Sequence, residues 1–175
     1  DKVNKKARIV HMDLSENSQA IARDRADFWD LSDMITFVQG SMLDTELTAG
    51  LGNFDVILAH GCLHHLVYPK EGLLALKRML KPGGGMSIMV YGEYGRTGIY
   101  DVQNMARMLH DQKMSENEQV MSLQSLLKVL PAVSRVKRHA PFWTGVNSEI
   151  GTDAGAFDLF LHSQDRAYTV RQLYE

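Results

Sequence analysis

The stretch Phe54 to Leu66, FDVILAHGCLHHL, constrains the fold more than any other part of the chain. Its apolar run, Val56 to Ala59, has β-branched residues and no helical period, which suits a strand buried on both faces of a parallel sheet. The run breaks at Gly61 into Cys62, Leu63 and two adjacent histidines, and Pro69 after Tyr68 presets φ for the first turn of a helix. A strand that ends in glycine and polar side chains just before a helix is where open α/β sheets bind ligands, outside the carboxyl ends of the strands.

The flanking segments repeat that logic. Ala7 to Met12 reads as a strand ending at Asp13, with Ser15 capping a helix on which Ile21 and Phe28 recur one heptad apart. Ile35 to Gln39 is a second β-rich run, closed by Gly40 and followed by Ser41, Met42, Leu43 and Asp44. After the central strand a helix is predicted from about Lys70 to Lys81, with Leu73, Leu76 and Leu80 on one face, stopped by Pro82-Gly83-Gly84-Gly85. Met86 to Tyr91 then reads as a strand leading into the glycine-spaced GEYGRTG. Strands alternating with helices imply βαβ crossovers and a parallel sheet.

Past Tyr91 the period becomes helical. Ile99, Val102, Met105, Ala106 and Leu109 form one stripe, and Ser115 and Glu118 form a capping box for a helix with Val120, Leu123, Leu127 and Leu130, ended by Pro131. These two helices are expected as a lid over the strand ends. Pro131 to Tyr168 carries no strong period, although Arg135, Lys137, Arg138 and His139 cluster there, as expected of a solvated basic face.

A carboxylate just past a strand end can accept from two vicinal ribose hydroxyls, and a second one nearby can accept from an adenine amino group. Asp13 and Asp44 fit a nucleoside held across the sheet in this way, although each is equally at home as a turn or cap residue. The net charge of −2 gives no pull toward nucleic acid, and no apolar run approaches the 18 or so residues of a membrane span. The lone Cys62 and the charged start DKVNKK, with no apolar segment behind it, predict a cytoplasmic protein. His60, His64 and His65 belong to no closed ligand set of zinc-type spacing, so no metal is expected. His64 and His65 instead suit a general base or a hydrogen-bonded helix-start loop.

In order and spacing, HMDLSENS, VQGSMLD, FDVILAHGCLHHL and LKRMLKPGGGMSIMVYG resemble the class I S-adenosylmethionine-dependent methyltransferases. The resemblance covers residues 7–91, and DLFLHSQDRAYTVRQLYE also looks like a segment some of these enzymes carry. It implies a Rossmann-like, mostly parallel sheet with helices on both faces and S-adenosylmethionine as cofactor. Asp13 and Leu14 would meet the ribose and Asp44 the adenine amino group. Ser41, Met42 and Leu43 would lie along the ring, with His60 and Gly61 at the methionyl end. His64 and His65 are then the candidate catalytic residues, and Tyr91, Glu93 and Tyr94 would contact a small-molecule substrate. The expected organisation is a partial cofactor-binding core over 1–91, a lid and substrate region over 92–168, and the start of a helix over 169–175, where Thr169 and Gln172 make a capping box. Only six residues precede Ala7, leaving no counterpart for the family's first strand and Gly-rich loop. The chain is therefore expected to be a segment of something longer. Its first strand should pair directly with Phe54 to Ala59 or be completed by another chain, most simply in a homo-oligomer. Two other functions compete: an incomplete, non-catalytic fragment that needs another chain, and an NAD-dependent oxidoreductase, which also uses a strand-Asp-helix site.

Overall fold

The computed structural model describes residues 7–111, 113–139 and 153–175. They form two compact units: residues 7–59 with Tyr68–Ser87, and His60–Val67 with the described part of Ile88–Glu175.

The first unit opens with β1 (Ile9–Asp13), α1 (Glu16–Phe28) and β2 (Ile35–Gln39). β1 and β2 pair in parallel from Ile9 opposite Ile35 to Asp13 opposite Gln39, as a βαβ crossover requires. Ser15 caps α1 by accepting from the Ser18 N–H at 3.2 Å. α1 buries Gln19 and Ala26, and Gln19 donates Nε2–H to the Val38 carbonyl at 2.7 Å. Ile21 and Phe28 are exposed, contrary to the heptad reading. They lie two residues on from Gln19 and Ala26, roughly 200° around a helix of 3.6 residues per turn. The small and hydrogen-bonded residues, not the large ones, face the strands. A short helix the sequence reading did not foresee, α2 (Thr45–Leu51), starts at the cap residue Asp44.

β3 (Phe54–His60) is the central stretch, and α3 (Pro69–Arg78) follows with Pro69 in its first turn as predicted. Two expectations fail here. The face of β3 carrying Val56 and Leu58 is 63% and 70% exposed, so the strand is covered on one face only. Next, α3 stops at Arg78, and β4 (Leu80–Met89) runs through Pro82 and the glycines that were expected to form a loop. Pairing with β3 explains the second. The Phe54 N–H bonds the Met79 carbonyl at 2.8 Å and the Gly61 N–H bonds the Met89 carbonyl at 3.2 Å, so the strands run parallel. Between those bonds β4 uses more residues than β3, and the excess bulges where Gly83 takes φ +78°. A Cβ on Gly84 would sit 2.9 Å from the Asp55 carbonyl oxygen, so only glycine lets the strands approach there.

β1 pairs with β2 and β3 with β4, in separate two-stranded sheets. Among the described residues β1 and β3 do not pair with each other, and the parallel pairing expected from the sequence takes the form of short two-stranded sheets.

In the second unit β5 (Tyr91–Gly92) pairs in parallel with β6 (Ala167–Tyr168). α4 (Thr97–Leu109) and α5 (Glu116–Val129) carry the predicted stripes, and both halves of the Ser115–Glu118 capping box form. Ile99, Val102 and Leu123 pack with Leu159 and Phe160 into one core. The helices read as a lid are thus the frame of a core of their own. Its other wall comes from the segment without a recognisable period, as α6 (Arg135–His139), α7 (Asp153–Ala156) and a π-helical turn Phe157–Leu161. Lys137 of the basic cluster donates to the Leu130 and Lys128 carbonyls, closing the end of α5. α8 (Val170–Tyr174) ends the chain behind its Thr169–Gln172 capping box. Ser115→Ala is expected to lower stability by about 1 kcal/mol in urea unfolding. No change would mean that the capping box contributes nothing.

Candidate functional site

In the first unit the strand–acid–helix pattern places two carboxylates at successive strand ends. Asp13 closes β1, and its Oδ1 accepts from the Ser15 N–H at 2.8 Å. Asp44 follows β2, and its Oδ1 accepts from the Glu46 and Leu47 N–H groups at 3.1 and 3.0 Å. Asp13 thus closes a turn and Asp44 caps α2, each with Oδ1, and each keeps Oδ2 without a partner among the described residues. Between them Ser41 holds a tight turn: its carbonyl accepts from the Asp44 N–H at 3.1 Å and its hydroxyl from the Leu43 N–H at 3.1 Å. Leu14 and Leu43 are exposed, while Met42 is half-buried. Asp13 also lines an open depression of about 470 Å³ with His11, Ser18, Ala22 and Arg25, and Asp44 does not border it.

In the second unit His60 is exposed and Gly61 has φ +77°. The turn Leu63–His65 then gives its two histidines different surroundings. His64 is fully buried, stacked on Tyr91 with ring centroids 3.7 Å apart, and neither ring nitrogen has a hydrogen-bond partner among the described residues. Burial, helped by the nearby His65 and Arg96, lowers its pKa to about 4, so it is neutral at pH 7. His65 is half-buried, and its Nδ1 lies 2.8 Å from the Gln164 carbonyl, which fixes the proton on Nδ1 and the lone pair on Nε2.

The sequence reading missed what surrounds Tyr91. The Arg96 guanidinium lies over the Tyr91 ring at 3.4 Å and donates Nη2–H to Asp165 at 2.9 Å, in an ion pair almost wholly removed from water. Gln103 also donates to Asp165, at 3.1 Å, and to the Leu159 carbonyl at 3.1 Å. Burial beside Asp165 raises the pKa of Tyr100, which also borders Arg96. Glu93 and Tyr94 are exposed, and the Glu93 N–H bonds the Tyr168 carbonyl at 3.0 Å. The only sequence signals were the polar strings GRTG and HSQDR on either side of the helical segment.

Residues 2–88 match the profile of a family described as a methyltransferase domain. An uncharacterized protein of Synechococcus sp. is 31% identical over 173 residues, which is 98% of this chain and 40% of that protein. The structure of PKMT2 from Rickettsia typhi in complex with AdoHcy superposes with a TM-score of 0.69 at 17% identity, over 96% of this chain and 33% of that one. A second structure of the same protein gives 0.66 at 19%, over 96% and 32%. The chain thus has a Rossmann-like methyltransferase fold, and its residues 2–88 carry a methyltransferase domain of the kind found in the class I S-adenosylmethionine-dependent enzymes. It spans two fifths or less of each relative named. Among the described residues no helix is long and apolar enough to cross a membrane.

Proposed function

We propose that this chain supplies the S-adenosylmethionine-binding part of a methyltransferase acting on an O, N or C nucleophile of a small molecule. The observation that carries the reading is Asp13, a strand-end carboxylate with one oxygen engaged and one open, inside the segment that matches the methyltransferase domain. The AdoHcy complex of the Rickettsia protein, with the same fold, supports the choice of cofactor. Asp13 and Asp44 each offer an acceptor oxygen of the kind that ribose and adenine donors require, so the residues present fit a nucleoside.

When bound, S-adenosylmethionine supplies a methyl group already activated on a sulfonium. Asp13 and Leu14 would hold the ribose, and the Ser41–Asp44 turn the base. His64 and His65, with ring centroids 4.3 Å apart, are the proposed proton acceptors; neutral His64 offers a single lone pair, at a basicity that burial lowers. Tyr91, Glu93 and Tyr94 are the proposed substrate contacts.

The test is titration of the full chain with S-adenosylhomocysteine. Asp13→Ala is expected to weaken binding by about 1.5–3 kcal/mol, the range for a hydrogen bond to a charged group. Equal affinity in wild type and variant would remove Asp13 from the site.

A second reading, that another chain completes the cofactor site, is favoured by the exposed Val56–Leu58 face and by the separate pairing of β1 and β3. It expects weak binding alone and a defined oligomer in light scattering. A monodisperse monomer that binds tightly would exclude it.

A further inference from the structure

We propose that His65, Asp158 and His162 form a binding site for one borderline divalent transition-metal cation, of the Zn2+ type. One ligand atom from each of the three lies within 4.8 Å of the others. Sequence spacing concealed the set, because His65 stands almost a hundred residues before the other two. Asp158 and His162 are four apart, a spacing that puts both on one face of a helical turn. The His65 and His162 rings stack with centroids 3.8 Å apart and planes 23° apart, bringing their edges side by side.

The hydrogen bonds suit ligation. The Nδ1–H of His65 is held by the Gln164 carbonyl at 2.8 Å, the outer-shell arrangement that orients a metal-bound imidazole and leaves Nε2 as the donor atom. Nδ1 of His162 accepts only a long bond from the Gln164 N–H, 3.3 Å, which an ion can replace. Asp158 is exposed and accepts no hydrogen bond from a described residue, so its carboxylate is available. His162 also lines a cavity of about 250 Å³ with Arg107, His110 and Asp111.

Two imidazoles and one carboxylate select Zn2+ or a neighbouring transition metal over Mg2+, which prefers octahedral oxygen. Three protein ligands leave a fourth position for water or another small ligand. Tetrahedral bonds of about 2.0–2.1 Å set donors roughly 3.4 Å apart, so donors that lie within 4.8 Å would close by up to about 1.4 Å, with a splay of the stacked rings.

The test is calorimetric titration of the full chain with Zn2+ in a non-coordinating buffer, alongside Asp158→Asn and His162→Gln, with circular dichroism as a check on folding. Asp158 is exposed, so its variant keeps the fold. One-to-one uptake is expected, weakened at least about tenfold in each variant, with no uptake of Mg2+. Absence of saturable Zn2+ uptake, or equal uptake by wild type and the double variant, would overturn the proposal.

Discussion

Asp165→Ala is expected to lower the unfolding free energy by about 3–5 kcal/mol, the largest effect of any single polar substitution here. Asp165 is the counter-charge of Arg96, and the side chains are 2% and 4% exposed. Truncating the carboxylate strands a guanidinium that cannot lose its proton at any accessible pH. A lysine could neutralise itself; arginine cannot. Gln103, which donates to the same oxygen, would also lose an acceptor. What remains, the Tyr91 face at 3.4 Å, offsets only part of the desolvation. Removing both charges, as in Arg96→Met with Asp165→Leu, is expected to restore much of the loss, because an apolar pair of similar volume leaves no charge behind. Urea unfolding of the two single variants and the double variant measures this cycle. If Asp165→Ala costs less than about 1 kcal/mol, water reaches the pair and it is not the buried link described above.

What the sequence made legible is local. Pro69 opens α3, Ser15 caps α1, and the Ser115–Glu118 and Thr169–Gln172 boxes both form, because each depends on residues within one turn. The class of fold was legible too, through the order of strand, acid and helix. Misread elements depend on partners far along the chain. β4 passes through Pro82 and three glycines because β3 lies beside it, and no local signal announces that pairing. Val56 and Leu58 look like core in any window of sequence, yet their face is bare because nothing described covers it.

The polar heart of the second unit was illegible for the same reason. Arg96 and Asp165 are 69 residues apart, and His65 and the Gln164 carbonyl are 99 apart. A lone arginine after GEYG and a lone aspartate in HSQDR read as surface until the fold joins them around Tyr91. The histidine pair was legible as a feature, but its division was not: burial separates His64, neutral and enclosed, from His65, which keeps a nitrogen toward other donors.

That division makes stability depend on pH. The pKa of His64 falls from 6.5 to about 4 on folding, chiefly through desolvation, with His65, Arg96 and His162 adding repulsion and Asp165 opposing them. Between those values the unfolded chain holds a proton on His64 and the folded chain does not, so stability rises with pH. The contribution is fully present above pH 6.5, is lost as pH falls toward 4, and amounts to roughly 3 kcal/mol at about 1.4 kcal/mol per unit. His162 and His110 are lowered as well, and burial is the main cause in both, so they add to the loss in the same direction. His64→Phe keeps an aromatic ring against Tyr91 and removes the titration. Its unfolding free energy, followed by urea denaturation from pH 7.5 to 4, is expected to fall less than that of the wild type by roughly those 3 kcal/mol. Parallel curves for the two proteins across that range would show that His64 takes up its proton without unfolding the site around it.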